Sequence, residues 1–192
     1  MGEYVLYDST IELHLLGGYW WEETSLGAAL ARDFWGATWR LETLWIKTHE
    51  ARKSNEVQVG GGVEFALNEK MSIVSELFYQ SEGKSNSVDY KLVLDSRFQT
   101  LRASFYNYSL FQYKFSELWT ISEGLLLNLI DGSHYFIWKT QYSLSENTDL
   151  LFEIDLPRGK KGSEFSDRSF TFMNGASVGA PIQVSLGIKA YF

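Results

Sequence analysis

Apolar and polar residues alternate along most of this chain, and this pattern limits the folds that the chain can adopt. The alternation is clearest near the end, where Val184, Leu186, Ile188, Ala190 and Phe192 are separated mainly by polar or small residues. A period of two places successive side chains on opposite faces of a β-strand. The pattern therefore predicts two-faced strands rather than helices.

Turn residues interrupt the alternation every ten to fifteen positions and divide the chain into about twelve segments. Most segments approach the roughly 9–11 residues that a tilted strand needs to cross a bilayer. Segments 71–81 and 110–118 alternate poorly, so ten strands is the alternative count. The predicted strands cover 9–20, 24–34, 37–49, 56–67, 71–81, 88–95, 98–107, 110–118, 122–130, 134–144, 148–157 and 180–192.

The composition fits a strand-built membrane protein better than a helical one. Aromatic residues make up 16% of the chain and proline occurs only 2 times, yet the mean hydropathy is −0.18. No stretch approaches the roughly 18 apolar residues of a spanning helix. Strands with one lipid face and one lumen face average to this hydropathy. The aromatic residues near predicted strand ends indicate interfacial girdles, and a soluble β-core is the alternative.

Charge and cysteine content exclude two classes of site. Lys and Arg number 17 against 24 Asp and Glu, a net charge of −7, so no basic surface for nucleic acid is expected. The chain has no cysteine, which excludes disulfides and thiolate metal sites. No cofactor is predicted.

The predicted connections alternate between short turns and longer polar stretches such as 49–55, 81–87 and 157–177. Outer-membrane barrels have short periplasmic turns and longer outer loops. We therefore predict a single domain over 1–192, an all-β antiparallel transmembrane β-barrel. An even number of strands would place both termini on the periplasmic side.

Residues 185–192, with the sequence SLGIKAYF, resemble the C-terminal strand of Gram-negative outer-membrane β-barrel proteins. The resemblance implies a location in the cell outer membrane, contact with its lipid, and recognition of the strand ending at Phe192 by the barrel-assembly machinery. Export requires a signal peptide, but Met1, Gly2 and Glu3 do not begin one. We therefore expect that a signal sequence or an upstream domain precedes this chain in the native protein.

Charged residues at alternate strand positions are predicted to face a polar lumen, because an unpaired charge in hydrocarbon costs several kcal/mol. They would either line a water-filled pore or pair across strands and close it. The predicted lining residues are Glu12, His14, Arg40, Glu42, Glu64, Glu76, Asp89, Lys91, Arg102, Lys114, Lys139, Glu153, Asp155 and Lys189.

The long stretch 157–177 combines charges with large apolar side chains, which is unusual for a solvated loop. One hypothesis is that it folds into the barrel mouth as a constriction; the alternative is an outer loop free of the barrel. The residues predicted to constrict the mouth are Arg158, Lys160, Lys161, Glu164, Phe165, Asp167 and Arg168.

These patterns favour an outer-membrane channel, similar to a porin, that passes small polar solutes or oligosaccharides. Two alternatives remain open: the C-terminal membrane barrel of a larger secretion or exopolysaccharide-export protein, and a lipid-modifying barrel enzyme. Asp131, Ser133 and His134 supply the residue types of a hydrolase, but no G-x-S-x-G is present. His14 with Glu12 makes only an incomplete metal site. We therefore predict no catalytic activity.

Overall fold

A computed structural model describes residues 2–8, 11–20, 23–49, 54–90, 101–166, 170–171 and 177–191. The described part of the chain is mainly strand, with one turn of 3-10 helix at Ser87–Asp89. The strands are β1 Gly2–Asp8, β2 Ile11–Trp20, β3 Glu23–Phe34, β4 Ala37–Thr48, β5 Glu56–Asn68, β6 Met71–Gln80, β7 Phe105–Lys114, β8 Trp119–Asn128, β9 His134–Ser145, β10 Thr148–Arg158, β11 Phe170–Thr171, β12 Ser177–Val178 and β13 Gln183–Ala190.

Eleven of these strands form one antiparallel meander in the order β1 to β10 and then β13, and β11 pairs only with β12. The all-β antiparallel class predicted from the alternation is confirmed.

The connections at one end are short, at 35–36, 69–70, 115–118 and 146–147; we call this the short-turn end. The opposite, long-connection end carries 49–55, 81–104, 129–133 and 159–182.

The tightest hairpin shows how local sequence sets the register. Trp35 and Gly36 both have positive φ, at 55° and 73°. Two successive positive φ values make a turn whose twist matches that of the flanking strands. The turn fixes Phe34 opposite Ala37, and the pairing of β3 with β4 then continues without a bulge to Glu23 and Thr48.

Three predicted strands in the middle of the chain do not match the structure. Segments 98–107 and 110–118 were divided at Tyr108 and Ser109, but β7 runs through this point as one strand. Asn107 explains the error, because its amide donates to the Glu76 backbone oxygen at 3.0 Å and accepts from Ser109. Polar residues typical of a turn thus find hydrogen-bond partners within the sheet.

The predicted strand 88–95 begins in the 3-10 helix, and its remainder from 91 lies outside the described residues.

The prediction that both termini lie at one end is also wrong. The sequence pattern missed β1, which pairs with β2 from Gly2 opposite Gly17 to Asp8 opposite Ile11. This extra strand makes the number in the sheet odd. Gly2 therefore lies toward the long-connection end, while β13 ends at the short-turn end beside Thr148.

The register sorts the side chains into one apolar and one polar face. Residues paired across neighbouring strands share a face, and Leu30, Leu41 and Gly61 are successive partners on the apolar face. Many large apolar side chains of that face are exposed, including Leu15, Leu30, Leu41, Leu77, Leu156 and Leu186.

A cavity against the polar face shows which way the sheet curves. It has a volume of about 520 Å³ and is lined by polar-face residues from His14 on β2 to Phe78 on β6. One cavity can be lined by side chains of five successive strands only if the sheet wraps around it. The polar face is therefore the concave inner face, and the apolar face is the convex outer face.

The sheet is not closed by the described strands. The strands at its two edges, β1 and β13, both run from the long-connection end to the short-turn end, so they are parallel to each other. No Cα atom of β1 lies within 8 Å of a Cα atom of β13.

Candidate channel interior and mouth

The register places eleven of the fourteen predicted lining residues on the inner face. They are Glu12, His14, Arg40, Glu42, Glu64, Glu76, Lys114, Lys139, Glu153, Asp155 and Lys189. Two others are not in strands: Asp89 lies in the 3-10 helix, and Arg102 lies in the connection before β7. The strands that were predicted to carry them do not form at these positions, and their contact with a lumen stays a prediction. Lys91 lies outside the described residues.

The charges of the inner face are unevenly distributed. From β2 to β6 its described side chains include seven carboxylates but only one arginine and one histidine. The carboxylates are Glu12, Glu23, Asp33, Glu42, Glu56, Glu64 and Glu76, and the basic groups are His14 and Arg40. From β7 to β13 three lysines, Lys114, Lys139 and Lys189, balance Asp149, Glu153 and Asp155. One half of the wall is therefore acidic and the other nearly neutral.

Ion pairs on this face join adjacent strands. Arg40 on β4 donates to Glu64 on β5 at 2.9 Å, and Lys139 on β9 lies 2.6 Å from Glu153 on β10. These side chains are partly exposed, so each pair contributes at most about 1 kcal/mol. Both pairs therefore lie along the inner face.

The cavity against the acidic half has a floor of small residues. Glu42 on β4 lies between Ala29 on β3 and Gly60 on β5, and Gln58 and Phe78 border the same hollow. Because its neighbours on both sides are small, the Glu42 side chain is exposed to the hollow.

The connection between β10 and β13 folds onto the inner face at the long-connection end. We call residues 159–166 the strap. Its first part is exposed and includes Lys160 and Lys161, whereas residues 163–166 are buried. The Phe165 ring packs on the rings of Tyr135 and Tyr106, with centroid distances of 4.9 and 6.4 Å.

The prediction that this connection folds inward thus applies to its central residues. Glu164 and Phe165 are buried in the strap, and their constriction of a barrel mouth stays a prediction. Arg158 was expected in the loop, but it is the last residue of β10, opposite His134. Asp167 and Arg168 lie outside the described residues.

Glu164 is the polar centre of the mouth and is only 4% exposed. Its carboxylate accepts hydrogen bonds from the Tyr106 hydroxyl at 2.6 Å, the Asn128 amide at 2.7 Å and the Arg102 backbone N–H at 2.6 Å. The donors come from β7, β8 and the connection before β7. One strap side chain therefore ties three segments together, and we call this set of contacts the mouth network.

Asn128 supports the network from the end of β8. Its amide nitrogen also donates to the Tyr90 hydroxyl at 2.9 Å, and its side-chain oxygen accepts from the Ile130 N–H at 2.8 Å. The fully buried Asn128 thus joins the strap to the connections before β7 and after β8.

The residues considered for catalysis have structural contacts instead. Ser133 is 1% exposed, donates its hydroxyl proton to Asp131 at 2.6 Å, and accepts the Phe165 N–H. The other Asp131 oxygen accepts the Glu164 N–H at 2.9 Å. His134 pairs with Leu127 on the outer face. Asp131 and Ser133 therefore bind the backbone of the strap. The Ser133 hydroxyl is buried and does not face solvent.

Burial changes the acidity of the groups around the mouth. Burial raises the pKa of the Glu164 carboxyl, against the lowering effect of the Tyr106 and Arg102 hydrogen bonds. Burial also raises the pKa of Tyr90 to about 12, so that its hydroxyl stays neutral and can accept from Asn128. The Arg102 pKa is lowered because the guanidinium is partly desolvated.

The sequence patterns missed Tyr90, Tyr106 and Asn128 as functional residues. Tyr106 and Asn128 occupy ordinary inner-face positions near the ends of β7 and β8. Nothing in the spacing distinguishes them from other polar or aromatic strand residues. Their role depends on the strap reaching them from more than thirty residues further along the chain.

The described residues contain neither a membrane-spanning helix nor a cluster of metal ligands. No described helix is long and apolar enough to cross a membrane. Among the residues that the structure describes, no three His, Asp or Glu side chains are grouped so as to hold a metal ion. Comparison of the chain with protein-family models, with curated proteins and with solved structures finds no match.

Proposed function

We propose that this chain is an outer-membrane β-barrel channel that passes small polar solutes and favours cations over anions. The separation of the two faces carries the proposal. The outer face exposes large apolar side chains, as a lipid contact requires, and the concave face carries most of the charges of the described strands. In water, such a large exposed apolar surface would favour association.

The cation preference follows from the charge of the wall. The inner face from β2 to β6 carries the seven carboxylates named above against one arginine and one histidine. Rings or walls of carboxylates attract cations and repel anions in channels. The strap packs on Tyr106 and Tyr135 in the nearly neutral half, and we propose the acidic half as the path for solutes.

A membrane-anchoring barrel, belonging to a larger export protein, is the second candidate. The observation that favours it is the packing of the mouth, where the strap and the connection before β7 bury Tyr106, Asn128 and Phe165. An anchor needs no conduction, so electrical recording separates the two candidates.

We expect the purified protein to give discrete conductance steps in planar bilayers, with a reversal potential that indicates cation preference under a KCl gradient. The double variant Glu42→Gln with Glu76→Gln should weaken the preference, because it removes two carboxylates from the acidic wall. Glu123→Gln is the matched control, since Glu123 lies on the outer face opposite Phe111.

Each outcome of the recording decides between the candidates. Conductance with unchanged selectivity in the double variant would contradict the role of the acidic wall. A folded, membrane-inserted protein that conducts no ions would rule out the channel and favour the anchor.

A further inference from the structure

We propose that the cavity against the acidic half of the inner face binds small organic amines that carry an apolar group. We call this cavity, which extends from His14 on β2 to Phe78 on β6, the wall pocket. The inference names a class of solute for the proposed channel and rests on that function for its consequence. Binding itself is a property of the pocket that can be measured without recording any current.

The wall pocket has the size of a small-molecule site, and the sheet itself forms it. Its volume of about 520 Å³ lies within the roughly 300–1,000 Å³ of pockets that bind small ligands. Because its lining belongs to paired strands rather than to a connection, the shape of the pocket is set before a ligand arrives. The inner-face residues that line it form two neighbouring rows, His14, Ala29, Glu42, Gly60 and Phe78 in one and Leu16, Gly27, Leu44 and Gln58 in the other.

Two glycines keep the floor of the wall pocket low. A Cβ atom at Gly27 would lie 3.2 Å from the Thr43 backbone oxygen and 3.3 Å from Leu44 Cδ1, which is a tight contact. A Cβ atom at Gly60 would lie 4.0 Å from the Glu42 Cβ, which is an ordinary van der Waals distance. A side chain added at Gly60 would therefore fill the pocket without crowding the sheet.

Three large apolar side chains line the wall pocket although they belong to a mainly polar face. They are Leu16 on β2, Leu44 on β4 and Phe78 on β6, and all three are half-buried. Phe78 also packs against the buried cluster that contains Tyr106, and this packing holds the ring at the β6 side of the pocket. An apolar group of a solute would leave water by contacting these side chains, which favours its binding.

The charge of the wall pocket comes from Glu42. Among the residues that the structure describes, this exposed carboxylate has neither a hydrogen bond nor an ion pair. Two other carboxylates of the same half have basic partners, because Glu64 accepts from Arg40 at 2.9 Å and Glu12 lies 2.6 Å from His14 Nε2. Glu42 is therefore the carboxylate available to a cation in the pocket.

The lining indicates an amine with an apolar group nearby. Gln58 donates its amide N–H to Glu56 at 2.6 Å, which leaves its side-chain oxygen as a second acceptor for an ammonium group. Along β4, Leu44 follows Glu42 by two residues, or about 7 Å, and Phe78 lies two strands away, or about 10 Å. An ammonium group joined by a short chain to an aromatic ring could therefore contact both kinds of lining.

Ligand-observed NMR on the full chain in lipid nanodiscs tests the wall pocket. Phenethylamine carries both the charge and the apolar ring. Phenethyl alcohol lacks the charge, methylamine lacks the ring, and phenylacetate reverses the charge. Saturation-transfer titrations give the dissociation constants, and empty nanodiscs measure the partition of each probe into lipid.

We expect the parent chain to bind phenethylamine at least about five-fold more tightly than any of the other three probes. Glu42→Gln should weaken the binding of phenethylamine by about five-fold and leave that of phenethyl alcohol unchanged. Gly60→Leu should abolish the binding of phenethylamine by filling the pocket. Gly61→Leu is the matched control, because it adds the same side chain on the outer face opposite Leu41.

Two results would overturn the inference. One is equal affinity of the parent chain for phenethylamine and phenethyl alcohol, and the other is an affinity for phenethylamine that Glu42→Gln does not change. Glu42→Gln alters hardly any volume, so it decides the question even if Gly60→Leu does not fold. Amine binding by a barrel that conducts no ions would refute only the channel, whereas cation-selective conductance without amine binding would refute only the pocket.

Discussion

Leu186→Lys should lower the free energy of unfolding in lipid bilayers by about 2–4 kcal/mol, the cost measured for a lysine near the middle of a lipid-facing strand. Leu186 lies midway along β13 on the outer face, between Val184 and Ile188, and is 72% exposed in the structure. An exposed leucine on a water-facing sheet would tolerate lysine with little loss. The size of the effect thus measures whether the outer face meets hydrocarbon. Denaturant unfolding of the bilayer-inserted protein gives the value.

The neighbouring position supplies a matched control. Ser185→Lys introduces the same side chain one residue earlier, on the inner face opposite Glu153. We expect a change of less than about 0.5 kcal/mol, because the lysine enters a polar surface. Equal effects at the two positions, or a negligible effect at Leu186, would contradict a lipid-facing outer surface.

Asn128→Leu should lower the free energy of unfolding by roughly 2–4 kcal/mol, although leucine is similar in size to asparagine. The substitution removes the acceptor for the Ile130 N–H and the donor to both Glu164 and Tyr90. These groups are at or near the buried centre of the mouth, where a polar group without a partner costs about 1–3 kcal/mol. Urea unfolding in detergent micelles measures the loss.

Two further variants separate hydrogen bonding from the general effect of a mutation. Asn147→Leu changes an exposed asparagine in the turn between β9 and β10 and should be nearly neutral. Asn128→Asp keeps the acceptor for Ile130 but places a second carboxyl beside Glu164, so its stability should fall as the pH rises. A neutral Asn128→Leu would show that the mouth network does not stabilise the protein.

Most of the sheet could be predicted from the sequence because each strand has one apolar and one polar face. The alternation is a local property, so segments such as 24–34, 37–49 and 134–144 matched β3, β4 and β9 closely. The same property places the eleven predicted charges on the inner face. Where the outer face itself is polar, at Asn107 and Ser109, the pattern was interrupted and the strand boundaries were misplaced.

The mouth could be predicted only in outline. Large apolar residues in a long connection indicate that it packs against something, and the burial of Phe165 agrees with that indication. The partners of Glu164 could not be inferred, since the contacts join residues 36 to 62 positions apart. Pairings at that separation depend on how three connections meet above the sheet, and no local pattern encodes their meeting point.

The edges of the sheet have a consequence for the backbone. In an antiparallel sheet, alternate residues direct their N–H and C=O groups to one neighbour, so β13 turns about four of each away from β10. Each such group costs several kcal/mol when it lies in hydrocarbon without a partner. Because β1 and β13 run in the same direction, a seam between them would be parallel, and a single strand inserted between them would be antiparallel to both. In a bilayer, therefore, the edge groups of β1 and β13 need hydrogen-bond partners, and either arrangement would supply them.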